Sequence, residues 1–145
     1  MSRSKRSSES QPEFFADRCL GRAAPAILVE LGWIVHTIGD HFPADAQSIG
    51  DPEWVEHGLK RGWSLLTQDE RISTQVVVMT MLRRHRGCIH CLDSANLPIR
   101  VRAERFEAHR RAIHQHVRDR RVGFFLVHEH GPPRRKRGAT PAKDL

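Results

Sequence analysis

Three aspartates stand beside short apolar segments in a pattern that suits metal chemistry. Asp17 directly follows EFFA, and Asp69 closely follows SLLT. Asp51 heads the segment DPEW, where we assign it as the N-cap of a helix with Pro52 at the first helical position. Hard divalent cations prefer carboxylate oxygens, and Mg²⁺ takes a few of them together with waters and a phosphate oxygen. The three acids therefore indicate metal-assisted attack of water on a phosphate ester, provided that the fold brings them together.

The elements that must position these acids alternate in type along the chain. Five apolar runs have the length of strands, namely EFFA, WIVHT, WSLLT, CIHCL and FFLVH. Helices are predicted at 23–31, from Asp51 to the stop at Gly62, and across ISTQVVVMTMLRRHRG. In the segment 101–121, Phe106, Ile113 and Val117 fall on one face, which predicts one amphipathic helix with a mostly basic polar face. This order predicts an α/β fold with a mostly parallel central sheet of four or five strands between two helical layers.

The predicted topology gives the acids a common location. In a parallel sheet all strands end at one edge, and ligands bind outside that edge. Asp17 and Asp69 follow strands, and the helix headed by Asp51 runs antiparallel to them, so all three are expected there. Each acid also has a local interpretation: a surface loop or salt bridge for Asp17, a helix cap for Asp51, a turn for Asp69. These interpretations lose weight only because the three acids coincide at one edge.

The distribution of charge divides the chain into regions. Residues 1–11 and 131–145 are basic and rich in Ser, Pro and Gly, which predicts disordered tails around one domain at 12–130. Within the domain, residues 11–82 hold five Lys or Arg against ten Asp or Glu, and residues 83–121 hold eleven against four. An acidic region suits divalent cations and a basic one suits phosphates, although both are also compatible with ordinary solvated surfaces.

The sequence also indicates the compartment. No apolar run approaches the roughly 20 residues that cross a bilayer, and the first ten residues lead into no signal region. Three cysteines are an odd number, which favours reduced thiols over a disulfide framework. We therefore expect a cytoplasmic protein without a membrane partner.

The order FFADRCLGR, GWIVHT, DPEW and GWSLLTQDERI resembles the PIN-like nucleases, most nearly the branch related to VapC-type toxins. The resemblance covers roughly residues 13–97. It implies a PIN-like α/β/α sandwich and RNA hydrolysis that depends on Mg²⁺ or Mn²⁺. It also implies an RNA substrate, a cognate antitoxin protein as partner and, because PIN-like proteins often pair, a homodimer.

The resemblance assigns roles to particular residues. Asp17, Asp51 and Asp69 become the catalytic metal ligands, Glu53 becomes a further candidate ligand, and Thr67 supports a ligand by hydrogen bonding. For Glu53 an interaction with the helix dipole is an equal alternative. The charge pattern, and not the resemblance, gives candidates for contact with the RNA backbone in the last third of the domain: Arg100, Arg102, Arg110, Arg111 and Arg118. For these arginines, solubilising the helix or meeting an acidic partner is an equal alternative.

One departure from the family pattern leaves alternatives open. The family supplies a further acid before the Asp51 helix, and here GDHFPADAQ offers only Asp40 and Asp45, in an apparent loop. The alternative to a metal-dependent endoribonuclease is therefore a non-catalytic PIN-like module that binds nucleic acid or a partner. A phosphoacceptor role for Asp17, as in receiver domains, is weaker because the adjacent acidic pair and later Lys of those domains are not evident.

Overall fold

The computed structural model describes residues 11–42 and 49–142, and residues 43–48, with Asp45, lie outside it together with both chain ends. The strands are β1 (Glu13–Ala16), β2 (Ile34–Thr37), β3 (Ser64–Thr67), β4 (Cys88–Leu92), β5 (Gly123–Val127) and β6 (Arg134–Arg135). The helices are α1 (Ala23–Glu30), α2 (Ile38–His41), α3 (Asp51–Lys60), α4 (Val76–His85), α5 (Ile99–Ala108) and α6 (Arg110–Arg118). Short 3₁₀ turns at Arg18–Leu20 and Glu70–Thr74 follow β1 and β3.

The strands form one sheet in the order β2-β1-β3-β4-β5-β6. β1 to β5 are all parallel, and only β6 runs antiparallel, beside β5. The described sheet thus has six strands, where the sequence predicts four or five. The additional strand has two residues and no apolar pattern, so nothing in its composition marks it as a strand.

The alternation of side chains along the strands divides the core into two parts. Phe15, Leu65 and Ile89 face a cluster with residues of α3 and α4. Phe14 and Leu66 face a second cluster with residues of α1, α5 and α6. Because strand side chains alternate between faces, adjacent phenylalanines anchor opposite helical layers. This arrangement confirms the predicted three-layer α/β/α sandwich.

The segment predicted as one amphipathic helix is two helices. His109 interrupts it with φ −110° and ψ 19°, and its Nε2 lies 2.7 Å from the carbonyl oxygen of His128 at the end of β5. Phe106 and Ile113, on either side of the break, are both fully buried. The apolar face was therefore predicted correctly, and a contact with a distant strand breaks the helix.

The segment after residue 131, predicted as a disordered tail, is packed against the domain as far as it is described. β6 pairs with β5, and the backbone N–H of Ala139 donates to the carbonyl of Ser73 at 2.8 Å. Lys136 Nζ donates to Ser73 Oγ at 3.0 Å, and the N–H of Ala142 donates to Thr80 Oγ1 at 2.9 Å. We call residues 134–142 the C-terminal strap.

Within residues 11–42 and 49–142, no helix combines the length and the apolar character required to cross a membrane. All three cysteines are free thiols.

Candidate active site

The carboxyl ends of the parallel strands form the edge at which the predicted acids meet. The N–H of Asp17 donates to the carbonyl of Leu66 at 2.9 Å, which carries the pairing of β1 with β3 one residue past the end of β1. This bond places the Asp17 side chain beside Thr67, the last residue of β3.

Asp17 is a buried carboxylate, only 8% exposed. Thr67 Oγ1 donates to its Oδ2 at 2.8 Å, and the thiol of Cys19 donates to the same oxygen at 3.2 Å. Thr67 Oγ1 also accepts the backbone N–H of Asp69 at 3.0 Å. Thr67 therefore links the two strand-end aspartates, in the supporting position that the resemblance implies for it.

Burial raises the pKa of Asp17 above its ordinary value, and the charge of Asp51 raises it further, against the hydrogen bonds from Thr67 and Cys19. A buried anion that feels a second carboxylate is destabilised in its charged form. A bound cation would remove that cost, so these two acids suit a hard divalent ion.

Asp51 differs from its predicted role as helix cap. The N-cap of α3 is Gly50, and Asp51 occupies the first helical position, one residue before Pro52. Its Oδ1 accepts the indole N–H of Trp54 at 3.0 Å, and its Oδ2 accepts Gln75 Nε2 at 2.8 Å. The predicted capping assignment was wrong by one residue because contacts with Trp54 and Gln75, not the helix end, determine the direction of this carboxylate.

Asp69 lies at the expected edge but is engaged by its neighbour Arg71. Its Oδ1 accepts the backbone N–H and Nε of Arg71, each at 3.0 Å, and its Oδ2 accepts Nη2 at 3.2 Å. The side-chain hydrogen bond from Arg71 holds the pKa of Asp69 below its ordinary value. Because the Arg71 side chain is 88% exposed, the ion pair competes with solvent and contributes little stability.

Glu53 does not join this group. Its Oε1 accepts the N–H of Gly50 at 3.1 Å, which closes the first turn of α3. Its side chain lines an apolar groove between α3 and α4, together with Val76 and Val77. The geometry supports the alternative role of Glu53 at the helix start and gives no contact with Asp17.

Asp40 is one of the two residues that the sequence offers as a further acid. The sequence predicts a loop there, but Asp40 lies in α2, which directly follows β2, and its Oδ2 accepts Thr37 Oγ1 at 2.9 Å. Because Ala16 pairs with Thr37, Asp17 and Asp40 follow neighbouring strands at the same edge. Both line one cavity of about 420 Å³. The sequence offers Asp40 as a candidate acid, but its position beside Asp17 depends on the order of the strands in the sheet.

A second cavity of about 340 Å³ opens on the β4 side of Asp17, and Cys19, Gln68, Asp69 and Asp93 line it. Asp93, after β4, is paired with Arg105 Nη1 at 3.0 Å and lies 3.1 Å from His128 Nδ1. Burial, and then the charge of Asp17, raises the pKa of the Cys19 thiol to about 12. Cys19 is therefore protonated at neutral pH and is unsuited to act as a nucleophile.

The acids at this edge supply only part of the ligands that a divalent cation needs. Among the described residues, no three His, Cys, Asp or Glu side chains form a group that could hold a metal. Asp17 and Asp51 have the required chemistry, and Asp69 could contribute only after releasing Arg71.

The predicted RNA-binding arginines have different environments. Arg102 donates to the carbonyls of Leu97 and Leu20, and Arg110 donates to Glu107 and to the carbonyl of Leu31. These two tie α5 and α6 to the rest of the domain. The other three have exposed side chains: Arg100, Arg111 and Arg118.

The three-layer fold with acids at the carboxyl edge of its sheet belongs to a class of α/β domains that bind ligands at that edge. A family model described as PIN like domain matches residues 12–94, which is more than half of the chain. The chain therefore belongs to the family of PIN-like domains, which is generally of nuclease type. No match to the chain is found among curated proteins or among solved structures.

Proposed function

We propose that the protein is a metal-dependent endoribonuclease, the toxin component of a toxin-antitoxin system in the cytoplasm. The observation that carries this proposal is the buried carboxylate of Asp17, whose pKa is raised by burial and by Asp51 at the edge where Asp40 and Asp69 also lie. Acids whose pKa is perturbed by burial together with a second charge cluster at functional sites, which supports a ligand-binding role for Asp17.

In this proposal, different residues bind the metal ion, orient a ligand and contact the RNA. Asp17 and Asp51, with Asp69, would hold Mg²⁺ or Mn²⁺, which when bound supplies a water of lowered pKa and neutralises charge on the phosphate. Thr67 keeps Asp17 Oδ2 oriented, and Asp40 extends the acidic lining of the cavity beside Asp17. The exposed Arg100, Arg111 and Arg118 would contact RNA phosphates. The products would carry a 5′-phosphate and a 3′-hydroxyl.

The test is cleavage of a labelled single-stranded RNA with Mg²⁺ or Mn²⁺, with and without EDTA. Wild type should cleave, and Asp17→Asn and Asp69→Asn should each lose on the order of 10²-fold or more in rate, because each removes a ligand charge. Asp119→Asn is the matched control. Among residues 11–42 and 49–142, the Asp119 side chain accepts one hydrogen bond, from Gln115 Nε2 at 2.8 Å, and the oxygen of Asn can accept it too. Equal rates in all samples, or no effect of EDTA, would contradict the proposal.

The Arg71 ion pair favours a second candidate, a non-catalytic PIN-like module that binds nucleic acid or a partner protein. In that case Arg71 substitutes for a cation at Asp69. Arg71→Ala discriminates between the two functions. A nuclease should keep or gain cleavage when Asp69 is released, whereas a non-catalytic module should bind RNA or partner without turnover in both forms.

The antitoxin is proposed as a small protein that binds this chain and suppresses its cleavage. Co-expression of the product of an adjacent small gene, followed by co-purification and the RNA assay, tests the pairing. Co-purification with loss of cleavage supports the toxin assignment, and failure of neighbouring products to bind would leave a nuclease without that role.

A further inference from the structure

A second polar cavity lies at the opposite end of the sheet from the acids. It has a volume of about 120 Å³ and is located where β3 and β4 begin and where α3, α4 and α6 end. Because β4 has five residues, roughly 15 Å of strand separates this cavity from the carboxyl edge. The cavity is therefore not part of the candidate active site.

The residues that line this cavity are basic or neutral. The lining residues include His85, Arg86, Arg120 and Arg121 and contain no Asp or Glu. In the described part of the chain, the guanidinium groups of Arg86 and Arg120 make no ion pair or hydrogen bond, and that of Arg121 lies 5.7 Å from the Phe125 ring centroid and near His116.

Two of these arginines also have an unusual backbone. Arg86 and Arg120 are the described non-glycine residues with positive φ, each at 56°, just after the ends of α4 and α6. Glycine is the favoured residue at such positions because a Cβ is strained there. Arg86 and Arg120 add positive charge just beyond last turns that already contain basic residues: Arg83, Arg84 and His85 in α4, and His116 and Arg118 in α6.

The floor of the cavity adds a hydroxyl group. Ser64 is 5% exposed, lines the cavity, and its Oγ accepts the Cys88 thiol at 3.7 Å. Among the described residues, no acceptor is found for the proton of Ser64 itself. A buried hydroxyl donor that lines a basic cavity suits an anionic acceptor.

We propose that this cavity binds a phosphate group through Arg86, Arg120 and Arg121, with the Ser64 hydroxyl as a further donor. The volume is well below the roughly 300 Å³ at which pockets for larger ligands begin, so the recognised unit is one phosphate. Its source is either the backbone of an RNA or a free phosphate monoester. Because helix C-termini repel anions, the affinity must come from the arginine side chains.

The test uses the double variant Arg86→Gly/Arg120→Gly, since glycine suits both backbone positions and should leave the fold intact or raise Tm. Inorganic phosphate and a short single-stranded RNA are titrated separately in EDTA, by calorimetry and by amide chemical shifts of Gly62, Gly87 and Arg121. Wild type should bind, and the variant should bind on the order of tenfold to hundredfold more weakly. The matched control Arg83→Ala/Arg84→Ala removes the same charge from exposed positions of α4 outside this cavity and should change Kd by less than about threefold.

The two titrations distinguish the sources. If the double variant loses both ligands and phosphate competes with RNA, the cavity binds the RNA backbone; if it loses phosphate alone, the ligand is a free phosphate. No shift of the three amides by phosphate, or equal binding by wild type and the glycine variant, would overturn the proposal. Both readouts are independent of metal and of cleavage, so they stand apart from the proposed nuclease.

Discussion

Asp17 combines three properties that are rarely found together in a purely structural residue. It is buried, it accepts hydrogen bonds from two side chains, and it feels the charge of a second acid. Thr67 links the two aspartates, because its single hydroxyl donates to Asp17 and accepts the N–H of Asp69. The pair explains how a buried charge is held in a fixed direction.

Asp17→Asn should stabilise the metal-free protein. The pKa of Asp17 in the folded chain lies above its ordinary value of 3.8, so the folded state binds the proton more tightly than the unfolded state. The stability from protonated Asp17 is complete below pH 3.8 and is lost as the pH rises through the folded-state pKa. Asparagine stays neutral and still accepts from Thr67, so at pH 7 in EDTA it should gain about 0.5 to 2 kcal/mol.

Thermal unfolding of both proteins from pH 3 to 8 measures this effect. The difference in Tm should grow with pH and disappear in the most acidic samples. A variant that is less stable than wild type at pH 7 would show that the ionised carboxylate contributes to folding.

The start of α3 and the C-terminal strap both differ from the local structure that the sequence predicts. DPEW has the composition of a capped helix, but Gly50 takes the capping position and Glu53 closes the turn. The C-terminal strap has the composition of a tail, but Lys136 reaches both Ser73 and Glu70, the residue next to Asp69. The start of α3 is therefore closed by a local pair, whereas the strap is held by partners distant in sequence.

Gly138→Ala should detach the C-terminal strap. A Cβ at Gly138 would overlap the backbone carbonyl of Ser73, which cannot move aside as a flexible side chain could. Loss of the strap contacts should lower the free energy of unfolding by about 1 to 3 kcal/mol. Hydrogen exchange should accelerate at the amides of Ala139 and Ala142, which donate to Ser73 and Thr80.

Thr140→Ala is the control, since Thr140 is exposed in the same segment. Unchanged protection of the two amides in Gly138→Ala would mean that the approach to Ser73 is looser than the structure has it.

Across the whole molecule, the candidate acidic site and the basic cavity lie at opposite ends of the strands. The strand-end acids come from segments far apart in the chain, and Arg86, Arg120 and Arg121 lie at the opposite end of the sheet. Ligands at either end would therefore bind residues that only the folded chain assembles, and their binding is coupled to global stability.

Mg²⁺ should raise the Tm of wild type. A ligand that binds only the folded state adds about 2.7 kcal/mol at 100 times its Kd, which corresponds to several degrees for a chain of this size. Asp17→Asn and Asp51→Asn should lose most of this shift, and Asp119→Asn should keep it. Melting curves at constant ionic strength provide the measurement, and an equal shift in Asp17→Asn would place the cation elsewhere.

Much of the fold was predictable because it follows local patterns. The five parallel strands, α1, α4 and the burial of Phe106 and Ile113 follow from apolar periodicity, and the family model agrees over 12–94. The break at His109 and strand β6 were not predictable, because each involves a partner distant in sequence. The cap at Gly50 is a local pair with Glu53 and differs from the prediction by one residue. For the candidate site, the sequence places Asp17, Asp51 and Asp69 at one edge, and their role as metal ligands stays a prediction. The engagement of Asp69 by Arg71 was not predicted.

The sequence by itself determined which elements form and that Asp17, Asp51 and Asp69 belong at one edge, because hydrophobic periodicity and chain order specify a parallel sheet. Only the tertiary structure decided that Asp17 is buried under Thr67, that Asp40 shares its cavity, and that Glu53 turns away. It also decided that four basic residues from two helix ends surround one small cavity. The physical reason is that burial and side-chain direction depend on contacts between segments that no local pattern records.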